Sequence, residues 1–431
     1  MNRTLLLALA VLALDACKRT PPPPPKVTLD DMPKADHSRE LALRDPGGTR
    51  PVDVAVRALQ EKVRKLDKPE VWTALGELWV RKARESADPV YYVSADAAAQ
   101  VALAAQPDFS PARSLRGLVL VNQHRFAEAR DLATETLAKH PDDLLAYGVL
   151  SDSNLELGQY ALATQAAQHM VDLKPNLASY ARAAHLMFLH GDLAGAKEAY
   201  RLAIDAGADA RDLEPRAWVI VQTALLFFSQ GDLPGAQAGF DEALRELPHY
   251  PPALVGLGKL ALARGDGKAA VAALAEAVAA SPLLETRWLL GDSKKLAGDA
   301  AGAEAVYAQV QKEGAAIDPR TLALFLATHD RDPARAVILA NAERKVRDDV
   351  WTEDARAWAL FRAGQLAEAR TASDAAIALG TPEARLWYHA GAIRLAQGDA
   401  SGRAMVERAL KLNPGFDLTG AAEARALLAR K

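Results

Sequence analysis

The chain is 431 residues long, and its 52 Lys and Arg against 55 Asp and Glu leave a formal net charge of −3. That balance lacks the basic excess of a dedicated nucleic-acid binder, and a single cysteine excludes a disulfide framework or an all-cysteine metal site. Ala and Leu dominate while aromatic residues make up only 6%, a composition that favours helix because these side chains lose little rotamer freedom there.

The first elements are a leader and a tether. Residues 1–17 read MNRTLLLALAVLALDAC, with Arg3, an apolar run from Leu5 to Leu14, and then small residues. This is the pattern of a secretory signal peptide, whose apolar run is too short for a mature transmembrane anchor. Leu14-Asp15-Ala16-Cys17 resembles the bacterial lipobox, in which cleavage precedes a lipid-bearing cysteine; Asp15 departs from the usual small or apolar residue. The resemblance implies lipidation of Cys17, with residues 1–16 removed. Lys18 after the cysteine resembles outer-membrane sorting more than inner-membrane retention, and a soluble periplasmic protein is the alternative. Pro21 to Pro25 form a semi-rigid polyproline spacer, so residues 17–50 are expected to be an unstructured tether.

Beyond residue 50 one unit repeats. Glycine followed by a polar residue recurs at Gly158, Gly191, Gly231, Gly265, Gly298, Gly364 and Gly398, with spacings of 33, 40, 34, 33, 66 and 34. The 66 is a double step with Arg331 at the missing position, and His124 stands one step before Gly158. Five residues after each of these nine markers stands Ala129, Ala163, Ala196, Ala236, Ala270, Ala303, Ala336, Ala369 and then Arg403, with Ala404 beside it. Proline follows seventeen residues after the marker at Pro141, Pro175, Pro248 and Pro282. Each part has a physical role. Glycine closes one helix in a left-handed cap, alanine lets two antiparallel helices approach, and proline ends the second helix.

This helix–turn–helix resembles the tetratricopeptide repeat (TPR). The unit Leu257-Gly258, Ala270, Ala277, Pro282 and the unit Phe227, Gly231, Ala236, Phe240, Ala243, Pro248 carry the resemblance, which spans roughly residues 70–415. It implies an all-α superhelical solenoid of about ten helix-turn-helix units. The expected division is an N-terminal array at 51–208, a C-terminal array at 209–415 and a polar-faced capping helix at 416–431. An insertion between Ala206 and Pro215 is expected to bend the superhelix or divide it into two arms.

Chemistry-bearing motifs are sparse. None of the nine histidines forms H-E-x-x-H, and His185 and His190 do not share a helix face. Gly256-Leu257-Gly258 imitates a dinucleotide fingerprint but falls within a helix with no preceding strand. The expectation is therefore no enzyme, no metal, no cofactor, no nucleic acid and no small-molecule substrate.

What such a solenoid does is bind, and in the family the first helix of each unit lines the concave groove. Trp218, Val221, Leu225 and Phe228 share one helical face, as do Trp351, Asp354, Trp358 and Phe361. Lys259 and Tyr388 fall on the corresponding stripes. These ten residues are candidates for a peptide groove, with packing against the neighbouring unit as the competing assignment. The expected function is a non-catalytic scaffold for a protein or peptide partner. It would act as a lipoprotein that meets the membrane through its anchor and assists assembly of periplasmic or outer-membrane complexes. A soluble regulatory or oligomerisation protein is the alternative.

Overall fold

A computed structural model describes residues 35–86, 88–208 and 212–430. The leader, Cys17 and the proline run lie outside the described residues, as does the centre of the 206–215 insertion. Within the described residues every regular element is an α-helix, and none is long and apolar enough to cross a membrane.

The N-terminal helices are α1 (Ala35–Ala42) and α2 (Pro51–Leu66). Ten antiparallel pairs follow. The first five are α3 (Pro69–Ser86) with α4 (Tyr91–Ala105), α5 (Ser110–Asn122) with α6 (Phe126–Lys139), α7 (Leu144–Glu156) with α8 (Tyr160–Leu173), α9 (Leu177–Leu189) with α10 (Leu193–Ala206), and α11 (Glu214–Ser229) with α12 (Leu233–Glu246). The next five are α13 (Pro251–Ala263) with α14 (Gly267–Ala280), α15 (Leu284–Leu296) with α16 (Ala300–Ile317), α17 (Pro319–Thr328) with α18 (Pro333–Glu343), α19 (Val350–Arg362) with α20 (Leu366–Ala376), and α21 (Ala384–Ala396) with α22 (Ser401–Leu412). A final helix, α23 (Gly420–Ala429), packs on α21 and α22.

Residues 35–50 are not tether. Helix α1 packs on α4, Ala42 is fully buried, and the Ala42 carbonyl accepts the Trp79 indole N–H at 2.9 Å. The Leu41 carbonyl accepts from Ser94 at 3.0 Å, and the Arg44 carbonyl from Gln60 at 2.7 Å. An eight-residue helix shows too little periodicity to stand out in sequence; its partners are supplied by elements fifty residues on.

The repeat markers do what their chemistry allows. Gly158, Gly191 and Gly231 all sit at positive φ between paired helices. The following aspartates Asp192, Asp232, Asp266 and Asp299 accept the backbone N–H three residues on, capping the second helix. The eight repeat alanines are at most 2% exposed. Two positions differ from expectation. In the unit around Arg331 the connecting loop is one residue longer, so the left-handed turn falls on Asp330. In the last pair the small buried residue is Gly402, which packs on Gly391, while Ala404 is exposed. The insertion at 206–215 does not interrupt the stack, since α10 packs on α11 and α9 also touches α11.

The solenoid closes on itself. The backbone N–H of Asp348 donates to the Glu156 carbonyl at 2.8 Å, Thr381 Oγ1 to the Leu189 carbonyl at 2.7 Å, and Asn413 Nδ2 to the Phe228 carbonyl at 2.8 Å. The acceptors are last-turn carbonyls of α7, α9 and α11, which have no partner within their own helices. The donors come from the loops before α19, α21 and α23. Six helix pairs, α7 through α18, therefore complete one superhelical turn, and the next turn docks on the rim of the first.

Candidate functional site

Closure turns the concave groove into a partly enclosed axial cavity of about 330 Å³. Its walls come from both turns: α9, α11, α13 and α15 from the first, and α19, α21 and the segment 415–418 from the second. The apolar side is aromatic, with Phe188, Phe228, Trp288, Trp351 and Phe416. Gly415 passes close to the Ala263 carbonyl at the end of α13, where a Cβ would lie 3.0 Å from the oxygen.

The polar side carries four carboxylates, Glu285, Asp292, Glu383 and Asp417, against Lys259 and Arg385. Lys259 Nζ meets Glu285 at 2.8 Å, and this ammonium holds the Glu285 carboxyl below its ordinary pKa. Asp292 accepts the Tyr307 hydroxyl proton at 2.6 Å. Asp417 is occupied as the N-terminal cap of α23, accepting from the Thr419 and Gly420 amides at 3.0 and 2.6 Å. Arg385 reaches out of the cavity to Asp354 at 3.1 Å. Burial disfavours the charged forms of both Arg385 and Asp354, yet Asp354 is held ionised by His389 at 2.8 Å and then by Arg385, and Arg385 by Asp354 and then by Glu383. Glu383 is different. Among the described residues it makes no ion pair, and burial pushes its carboxyl above the ordinary range despite the nearby Arg385 and Lys259. His185 also lines the cavity, and burial pushes its imidazole pKa down, favouring the neutral ring.

The ten candidate groove residues separate into three groups. Leu225, Phe228, Lys259 and Trp351 line the cavity. Val221, Trp358 and Tyr388 are at most 2% exposed and belong to the core; for them the packing assignment is the correct one. Tyr388 donates its hydroxyl proton to Glu423 on α23 at 2.6 Å, and Trp358 stacks on His389. Phe361 packs beside Trp358 at 5.0 Å between ring centres, Asp354 is a buried ion-pair partner, and Trp218 stands 39% exposed away from the cavity. A single helical stripe cannot separate these fates, because neighbouring pairs rotate about the superhelix axis and bury different edges of it.

Sequence reasoning missed Phe188, Glu285, Trp288, Asp292 and Glu383. The register of the repeat carried part of the signal. Leu225, Lys259 and Asp292 occupy successive equivalent positions, and Trp351 and Arg385 do the same one turn later. The segment 415–418 had no such signal.

Residues 114–178 and 227–290 each match a family model of the tetratricopeptide repeat. The chain carries tetratricopeptide repeats. Among solved structures, the human IFIT1 dimer with PPP-AAAA is 14% identical, covering 88% of this chain and 95% of that one with a TM-score of 0.46. Yeast Tom70 is 14% identical, covering 87% and 96% with a TM-score of 0.37. The type IV pilus biogenesis factor PilW is 17% identical, covering 47% and 92% with a TM-score of 0.40. No curated protein sequence matches the chain. Tetratricopeptide-repeat proteins are generally protein-interaction scaffolds, and their fold places concave helices where a partner segment can lie.

Proposed function

We propose that this tetratricopeptide-repeat protein is a non-catalytic scaffold anchored in the bacterial envelope, where it holds a segment of a protein partner in its axial cavity and assists assembly of periplasmic or outer-membrane complexes. The observation that carries the binding part is the aromatic-walled cavity built from helices of two superhelical turns. Its four carboxylates against two cations repel a phosphate backbone, which supports a protein rather than a nucleic-acid partner. The Ser229 hydroxyl spends its proton on the Leu226 carbonyl at 2.8 Å, in keeping with a binding surface rather than a nucleophile. The envelope part rests on the leader, on Cys17 in its lipobox-like setting and on the proline run after it.

Two measurements test this reading. Labelling with a palmitate analogue should mark the wild type and not Cys17→Ala, and the variant should leave the membrane fraction. Unchanged fractionation counts against lipidation and favours the soluble regulatory protein. Affinity capture from envelope extract should recover partners with the wild type and lose them with Phe228→Ala, Trp351→Ala; equal recovery sinks the cavity as the binding site.

A further inference from the structure

The cavity has an unbalanced charge at its centre. Three of its four carboxylates already have partners: Glu285 with Lys259, Asp292 with Tyr307, and Asp417 with the α23 amides. Both cations are likewise committed, Lys259 to Glu285 and Arg385 to Asp354. Glu383 is the residue before α21, where the backbone N–H of Arg385 eases its carboxylate without supplying a counter-charge of its own. Glu383 and Asp417 are thus acidic groups facing the cavity with no ion pair among the described residues, and Asp417 is already spent on the two α23 amides. Facing Glu383 across the same space are Phe188, Phe228, Trp288 and Trp351.

Aromatic faces attract cations, and they do so more strongly where water is excluded. A carboxylate removed from bulk water gains most from a partner that brings a positive charge. Tryptophan and phenylalanine also accept the aliphatic stem of a long basic side chain. Resting on the binding role proposed above, we infer that the axial cavity seats a lysine or arginine side chain of the partner, with its charge against Glu383 and its stem among Phe228, Trp288 and Trp351. The cavity volume, at the small end of the range for ligand pockets, suits one long side chain with its flanking apolar neighbours rather than a folded domain.

That both internal cations are already committed, Lys259 to Glu285 and Arg385 to Asp354, is what makes the site selective. An acidic partner residue would meet Glu383, Asp417 and Glu285 without a free positive charge to receive it. A neutral side chain would leave the Glu383 carboxylate without a counter-charge, at a cost the basic residue removes.

The test uses the full chain, fluorescently labelled, on an array of random-sequence peptides. Wild type should bind peptides containing Lys or Arg flanked by apolar residues about tenfold more strongly than the same peptides with Leu at the basic position. Glu383→Gln should abolish that preference, and Glu383→Lys should reverse it in favour of Asp and Glu. Thermal melts of both variants establish that they are folded. Capture of peptides by the wild type without a basic preference overturns this inference and leaves the binding role standing. Capture of no peptide at all overturns both. Competition by free spermidine or tetramethylammonium as effective as the best peptide overturns the assignment to a partner's side chain.

Discussion

Tyr160 and Val350 are 190 residues apart, and the Tyr160 hydroxyl accepts the Val350 amide proton at 2.8 Å. Tyr160 opens α8 in the first superhelical turn, and Val350 opens α19 in the next. Val350 is itself buried in the core shared by α9, α10 and α11. The contact belongs to a seam of hydrogen bonds along which one turn docks on the other.

Removing the acceptor should loosen that seam locally. Tyr160→Phe keeps the ring packed but leaves a buried N–H without its partner, a loss of about 1–3 kcal/mol. Amide exchange at Val350 should accelerate while exchange in α3 to α5 stays as in the wild type. Unchanged protection of Val350 would show that the seam does not depend on this bond.

The same seam contains a pH-dependent group. Burial, with Asp349's charge adding to it, pushes the Glu156 carboxyl up to about 7, although Arg320 and Arg347 pull it down. In the unfolded chain the same group ionises near 4.5. Between those values the folded state binds the extra proton, so stability falls as pH rises from 4.5 through 7 and levels off above. Glu156→Gln should therefore melt higher than the wild type at pH 8, by up to about 3 kcal/mol, and the difference should shrink towards pH 5. A difference independent of pH would exclude Glu156 as its source.

The last helix pair depends on two glycines. A Cβ at Gly391 would lie 2.7 Å from the Gly402 carbonyl, and one at Gly402 would press on the Gly391 carbonyl in return. Both obstacles are backbone and cannot swing aside. Gly391→Ala gains about 1 kcal/mol of helix propensity but forces α21 and α22 apart, an overpacking cost of about 1–3 kcal/mol. The loss also propagates to α23, whose Glu423 is held by Tyr388. Clashes on both sides of the helix crossing decide the sign, so denaturant unfolding should show a lower midpoint. A midpoint at or above that of the wild type would mean that the crossing relaxes freely.

Much of this architecture is written locally. A left-handed turn at glycine, an aspartate cap after it, a buried alanine five residues on and a helix-ending proline are each short-range demands. Repetition at one period makes them legible without any coordinates. The same locality explains the sequence errors. Helix α1 is too short to show a period, and its burial is decided by Trp79 and Ser94 on α3 and α4. Val221, Trp358 and Tyr388 share a helical spacing with residues that line the cavity, but spacing on one helix does not say which neighbour covers it.

From the sequence alone follow the helices, their pairing, the repeat and the family it resembles, because these arise within or between adjacent units. Superhelical closure was decided only in three dimensions. A small rotation per pair accumulates over six pairs until α7 meets the loop before α19, and no single repeat encodes that sum. The net charge of −3 gives no hint of an acidic residue without an ion pair at the centre; Glu383 faces the cavity because the loop before α21 docks on the end of α9, bringing it into one space with Phe188 and Lys259, more than one hundred residues away.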